Sequence, residues 1–247
     1  MSPSVELPTG FVLDREGLLL MAIRSDVRAD VAPLVQQWAT NTLPSTARLL
    51  AGGRGGVCAF DVNGLGVVLR PYRRGGWAAQ VTSDLYLGWR IRSVRELIVT
   101  ETLRGKGIPT LEVLAGAAHW IMPACYRAAL VTREVPDARN LWEELKAISR
   151  SERPAICMQV ADVTRRLHDV GAVHPDLNLQ NYLVRRAGGE IHVLIIDHDR
   201  TRFGRVTPRV RAAAWARVQR SIHRLDPQGE ILTAECVDAL RAIGEGR

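Results

Sequence analysis

One short stretch of the chain holds the residue types that move a phosphoryl group. It reads Val173-His-Pro-Asp-Leu-Asn-Leu-Gln-Asn-Tyr-Leu-Val184, with Asn181 five residues after Asp176. Further on, the apolar run Val193-Leu-Ile-Ile196 delivers Asp197 into a turn, followed by His198 and Asp199. Phosphoryl transfer needs a carboxylate that orients the attacking hydroxyl and accepts its proton. It also needs oxygen donors that hold a divalent ion on the phosphates. Asp176 is the candidate base. Asn181 and Asp197 are the candidate ligands for Mg2+, a hard cation that takes oxygen donors.

The elements that must position these residues follow from periodicity and punctuation. Val27, Val31, Leu34, Val35 and Trp38 repeat at helical spacing after an extended lead-in over 1–24. Residues 47–70 read as three strands. A glycine-rich turn at Gly52, Gly53, Gly55 and Gly56 separates the first two, and Asn63-Gly64, a strong hairpin signal, separates the last two. A helix over 93–106 is stopped by Gly107 and Pro109, and two strands follow in 111–135. The second half is mainly helical. Pro154 opens a helix carrying Ile156, Val160, Val163 and Leu167 on one face, Gly171 ends it, and two helices close the chain over 209–225 and 232–243. The expected division is an N-terminal lobe over 1–133 and a C-terminal lobe over 134–247.

The catalytic segment is similar to the catalytic loop of the protein-kinase superfamily. Its wording, His174-Pro-Asp-Leu-Asn-Leu-Gln-Asn181 with Asp197-His-Asp-Arg200, resembles the bacterial lipopolysaccharide kinases, in particular the 3-deoxy-D-manno-octulosonic acid (Kdo) kinases. The element Leu69-Arg-Pro-Tyr-Arg-Arg-Gly-Gly76 and the pair Arg95-Glu96 fit the same family, and the likeness runs from about Gly52 to Arg202. The resemblance implies an α+β, two-lobed kinase-like fold, with an antiparallel sheet and one main helix in the first lobe and a mainly helical second lobe. It implies ATP and Mg2+ as cofactors, and transfer of phosphate to O4 of Kdo on a lipid A precursor. Gly53, Gly55 and Gly56 would then cover the nucleotide phosphates. Arg70 would stand where most kinases place a lysine, with Glu96 as its ion-pair partner. A kinase acting on another small molecule or on a protein, and an inactive nucleotide-binding module, share these elements. No Ala-Pro-Glu element follows Asp199, which favours a metabolite acceptor.

Each residue also has a plainer reading. The glycine cluster lacks the full G-x-G-x-x-G pattern and reads equally as a hairpin turn. Arg73 and Arg74 suit a substrate carboxylate or phosphate, or a solvated loop. Asp199 suits a metal or substrate contact, or a turn cap. His174 reads as a residue that orients its loop, His198 as packing and His168 as a helix end; Trp77 reads as packing, or, beside the basic loop, as a membrane-contact candidate.

Composition bounds the rest. The chain has 247 residues, 47% of them hydrophobic and 24% charged, as in ordinary globular proteins. Its net charge of +7 favours an anionic partner: nucleotide, acidic glycolipid or anionic membrane face. No nucleic-acid partner is expected, because no interleaved aromatic-basic motif accompanies the charge. Cys58, Cys125, Cys157 and Cys236 are scattered and read as reduced thiols. The N-terminus lacks a signal pattern and no apolar run approaches the roughly 20 residues of a membrane span, so a cytoplasmic protein is expected, with peripheral contact at the inner membrane.

Overall fold

The computed structural model describes residues 6–50, 56–73, 84–88 and 90–245. Gly53, Gly55, Arg74 and Trp77 lie outside the described residues. The chain divides into two compact units, one running to Thr102 with Glu112–Glu134, the other Leu103–Leu111 with Val135–Arg247. Residues 103–111, expected in the first lobe, count with the second unit. The reason is local pairing. Thr110 bridges Ile195 in parallel, Ile195 N donates to Pro109 O at 3.0 Å, and Arg166 Nη2 donates to Gly107 O at 2.6 Å.

The first unit contains β1 (Phe11–Glu16), β2 (Leu19–Arg24), α1 (Arg28–Ala39), β3 (Arg48–Leu49), β4 (Cys58–Val62), β5 (Leu65–Pro71), β6 (Tyr86–Leu87), α2 (Arg92–Gly105, whose last residues count with the second unit), β7 (Val113–Met122) and β8 (Cys125–Arg133). The strands pair antiparallel in the order β1-β2-β7-β8-β5-β4-β3, with β6 on β8. The expected lead-in over 1–24 is therefore corrected: residues 11–24 form a hairpin whose second strand lies inside the sheet, between β1 and β7. Its signal was weak because β1 leaves most of its side chains at the surface. Asn63 and Gly64 both take positive φ, +54° and +81°, in the tight β4–β5 turn.

Strand alternation explains the two cores. On one face Val31, Leu34, Val35 and Trp38 of α1 pack over Met21, Ile23, Val67, Leu69, Ala129 and Val131. On the other, Val94 and Leu97 of α2 pack over Ala22, Ala118, Ala128 and Leu130. Each of the larger side chains contributes roughly 1.5–3 kcal/mol on burial. The approach of α2 to β7 is close. A Cβ added at Gly116 would lie 2.8 Å from Ser93 O, and Ser93 Oγ donates to Ala117 O at 2.7 Å.

The second unit contains β9 (Arg139–Asn140), α3 (Leu141–Ala147), α4 (Arg153–Asp169), β10 (Ala172–Val173), β11 (Tyr182–Ala187), β12 (Glu190–Ile195), β13 (Arg202–Phe203), α5 (Pro208–Leu225) and α6 (Ala234–Glu245). Its sheets are small: β12-β11-β9, and β10 paired with β13. The expected apolar face of α4 is buried at Ile156, Val160, Val163 and Leu167, and α6 adds Cys236, Leu240 and Ile243. All four cysteines are buried free thiols.

His168, near the end of α4, is 2% exposed rather than solvated. Arg211 Nη1 lies 3.5 Å from its Nδ1. Burial first, and the Arg211 charge second, push its pKa down to about 4.

Two expectations follow. Gly116→Ala forces a Cβ against backbone and lowers unfolding free energy by about 1–3 kcal/mol in urea titrations. Between pH 6.5 and 4 an unfolded chain protonates position 168 while the folded chain does not. Stability is therefore complete above pH 6.5 and declines on acidification, by up to about 1.4 kcal/mol per pH unit. The decline in His168→Gln, followed by denaturation at each pH, is shallower by that contribution.

Candidate active site

In the second unit the segment around Asp176 is a loop anchored at both ends. It leaves β10, passes Asp176, forms a 3₁₀ turn over Leu179–Asn181 and enters β11. Asn178 caps the turn, its Oδ1 accepting from Gln180 N at 2.9 Å. The Asn178 amide also donates to Asp176 O at 2.8 Å and to Asn181 Oδ1 at 2.7 Å. Asn181 Nδ2 lies 3.4 Å from Asp176 O. The amide of Asn181 is thus fixed with its nitrogen toward the loop backbone. Its oxygen keeps a second lone pair beyond the one used by Asn178.

The β11–β12 hairpin brings Asn181 and Asp197 to one end. Tyr182 pairs with Ile195, and Ile196 N donates to Asn181 O at 2.9 Å, so the residues flanking that pair emerge together. Asp197 has φ +68° and ψ +58°, a left-handed conformation that costs an L residue roughly 1–2 kcal/mol. It leads into a second 3₁₀ turn, His198–Arg200, which holds Asp199 half-buried. Asp176 is exposed, and Arg200 Nη1 lies 3.2 Å from its Oδ2.

Two histidines brace this end. His174 is 2% exposed, and burial pushes its pKa down. Its Nε2 is 3.1 Å from Ile196 O, and because a carbonyl only accepts, Nε2 carries the proton. That bond ties the loop beside Asp176 to the strand end beside Asp197. His198 is 1% exposed, with Thr110 Oγ1 3.1 Å from Nε2 and Thr201 Oγ1 3.1 Å from Nδ1. Its ring meets that of His174 edge to face at 5.5 Å.

Asn181 and Asp197 supply two hard oxygen donors. Among the described residues no group of three or more His, Cys, Asp or Glu is arranged for a metal. Two protein oxygens suit Mg2+, which keeps waters and takes phosphate oxygens for its remaining positions.

In the first unit a different set is assembled. Arg70, at the end of β5, donates through Nη2 to both oxygens of Glu96, at 2.6 and 2.7 Å. The Tyr72 hydroxyl donates to Glu96 Oε2. Glu96 is 2% exposed, so its charge depends on these donors. The Arg70 guanidinium lies 4.8 Å from the Tyr72 ring centroid. Gly56 has φ +85°, and Arg73 beside it is exposed.

Sequence reasoning named Asp176, Asn181, Asp197, Arg70 and Glu96 but gave no role to Tyr72, Asn178, Arg200 or Ser221. Tyr72 was within reach, since strand alternation puts it on the side of Arg70. Asn178 carried a cap signature. Ser221, whose Oγ accepts from Leu179 N at 3.2 Å, had no local signal.

The chain matches the family model described as lipopolysaccharide kinase (Kdo/WaaP) family over residues 49–237. It is 34% identical over 194 residues to a 3-deoxy-D-manno-octulosonic acid kinase of Xanthomonas campestris pv. campestris (strain B100), covering 77% of this chain and 73% of that one. It is 30% identical over 143 residues to the enzyme of that name from Actinobacillus succinogenes, covering 57% and 59%. Among solved structures, WaaP in complex with acyl carrier protein superimposes with a TM-score of 0.60 at 16% identity, over 92% of this chain and 89% of that one, a likeness of fold. The protein is a kinase, a phosphotransferase with an α+β fold. It belongs to the lipopolysaccharide kinase (Kdo/WaaP) family.

Tyr72→Phe leaves one Glu96 oxygen without its buried hydroxyl donor. Urea denaturation of this variant is expected to show a loss of about 1–3 kcal/mol relative to the parent.

Proposed function

We propose that the chain transfers the γ-phosphoryl group of ATP to a sugar hydroxyl of Kdo on a lipid A precursor. The reading is carried by one arrangement: a loop carboxylate, Asp176, beside two oxygen donors, Asn181 and Asp197, held at one hairpin end. The names of the relatives support the acceptor.

In this reading Asp176 orients the hydroxyl and takes its proton. The sugar oxygen forms the new P–O bond, the bond between the γ-phosphorus and the bridging oxygen breaks, and ADP leaves with that oxygen's electron pair. Asn181 and Asp197 would hold Mg2+, which would neutralise negative charge on the nucleotide phosphates. Arg70 draws on the phosphates, and Glu96 and Tyr72 fix its guanidinium. Gly53, Gly55 and Gly56 are assigned to the phosphate loop. Arg73 and Arg74 are assigned to anionic groups of the acceptor, and Asp199 to the rim of the site. A lipid-linked acceptor would put the enzyme at the cytosolic face of the inner membrane. No helix among the described residues is long and apolar enough to cross a membrane.

Purified protein, labelled ATP and Kdo-lipid A test the reading. Asp176→Ala is expected to lower kcat by about 10²–10⁴-fold while ATP affinity stays within a few-fold. Asn181→Ala and Asp197→Ala are expected to raise the Mg2+ concentration needed for half-maximal rate. A parent protein that phosphorylates another hydroxyl compound but never Kdo-lipid A would reject the acceptor.

A further inference from the structure

The positive charge of the chain is concentrated in one segment. Residues 200–225 hold eight arginines and no aspartate or glutamate, against a net charge of +7 for the whole chain, so all other residues together sum to −1. Most of this segment is α5 and the loop leading into it.

Within α5 the arginines are ordered. Ala214, Val218 and Ser221 form its buried side. At about 100° per residue, Arg209, Arg217, Arg220 and Arg224 fall within an arc of about 80° on one flank of the exposed side, with Ala213 among them. The row spans about 22 Å at ~1.5 Å per residue. Arg209, Arg220 and Arg224 are exposed and Arg217 is partly so. Among the described residues none of the four has an ion-pair or side-chain hydrogen-bond partner, whereas Arg211, outside the row, is paired with Asp169. Strand β13 and the loop after it add exposed Arg202 and Arg205 around Phe203, which is 44% exposed.

The same helix serves the catalytic loop from its other side. Ser221 Oγ accepts from Leu179 N at 3.2 Å, and the segment begins at Arg200, 3.2 Å from the Asp176 carboxylate. A row of unpaired arginines this long exceeds what one nucleotide or one sugar phosphate can engage. It matches a surface carrying many separate phosphates, and an exposed aromatic between two arginines suits the interface of such a surface.

We infer that the arginine row of α5, with Arg202, Phe203 and Arg205, docks the enzyme on an anionic phospholipid surface and so presents Asp176 to a lipid-linked acceptor. The inference rests on the proposed lipid-linked acceptor; a docking surface of this kind has no use for a freely soluble one.

The test is co-sedimentation of the full chain with vesicles of phosphatidylcholine alone or with about one third phosphatidylglycerol, over a range of NaCl concentrations. Binding is expected only to the anionic vesicles, weakening steeply with salt. Arg217→Gln/Arg220→Gln should cut partitioning roughly thirtyfold, each arginine near such a surface carrying about fivefold. Arg209→Gln/Arg224→Gln should do the same if either pair folds poorly by circular dichroism. Turnover of Kdo-lipid A in detergent should stay at the parental level in both variants, while turnover in anionic vesicles falls with partitioning. Parent protein that ignores anionic vesicles, or variants that bind them as well as the parent, would overturn the docking surface and leave the kinase reading intact. Vesicle binding without any phosphorylation of Kdo-lipid A would instead defeat the acceptor reading. Salt-sensitive retention on an acidic protein such as acyl carrier protein, with none on vesicles, would overturn the lipid assignment and give the row to a protein partner.

Discussion

The hydrogen bond from Ile196 N to Asn181 O is the constraint on which the candidate site depends. It continues the β11–β12 ladder one step past its last paired residues, and so sets which side chains leave the hairpin together. Strand register is all or nothing in this respect. A slip of one residue would turn Asp197 to the opposite face and bury a charge among the side chains of β12. The neighbouring contacts reinforce the same register from other directions. His174 reaches Ile196 O from the loop, Asn178 holds Asn181 and Asp176 together, and Ser221 supports Leu179 from α5. The site is thus a consequence of backbone pairing, with side chains securing a geometry that the strands impose.

A second constraint governs the first unit. A carboxylate as deeply buried as Glu96 is tolerable only when its charge is answered by several donors. Arg70 Nη2 bridges both oxygens and Tyr72 adds a further hydrogen bond, with the guanidinium resting on the tyrosine ring. Arginine suits this place better than lysine because its flat guanidinium face lies over an aromatic ring while one of its nitrogens serves both carboxylate oxygens. The element Arg70-Pro-Tyr72 therefore works as one piece.

Charge is distributed unevenly for a comparable reason. The electrostatics of the loop at Asp176 are set by local pairing, as in Arg200 with Asp176, whereas the outer flank of α5 leaves its arginines without partners among the described residues. Self-repulsion along such a row is a standing cost to the free protein. Retaining it is consistent with a partner that offsets that cost on contact.

The primary sequence alone was enough to name Asp176, Asn181 and Asp197 as chemically apt, to place the main helices, and to mark Asn63-Gly64 as a hairpin turn. These signals are local: a motif, a period, a turn dipeptide. The pairing of β1 with β2 was hidden because an edge strand with mostly exposed side chains shows little alternation. The transfer of 103–111 to the second unit depends on Pro109 and Thr110 meeting Ile195, residues far apart along the chain. Tyr72 lay two positions from Arg70 and was legible from strand period, yet its role required Glu96 to be brought in from a different element. Ser221 on Leu179 and the shared flank of Arg209, Arg217, Arg220 and Arg224 depend on which side of α5 is buried. That side is chosen by packing against α6 and the catalytic loop, and long-range packing leaves no trace in a local pattern.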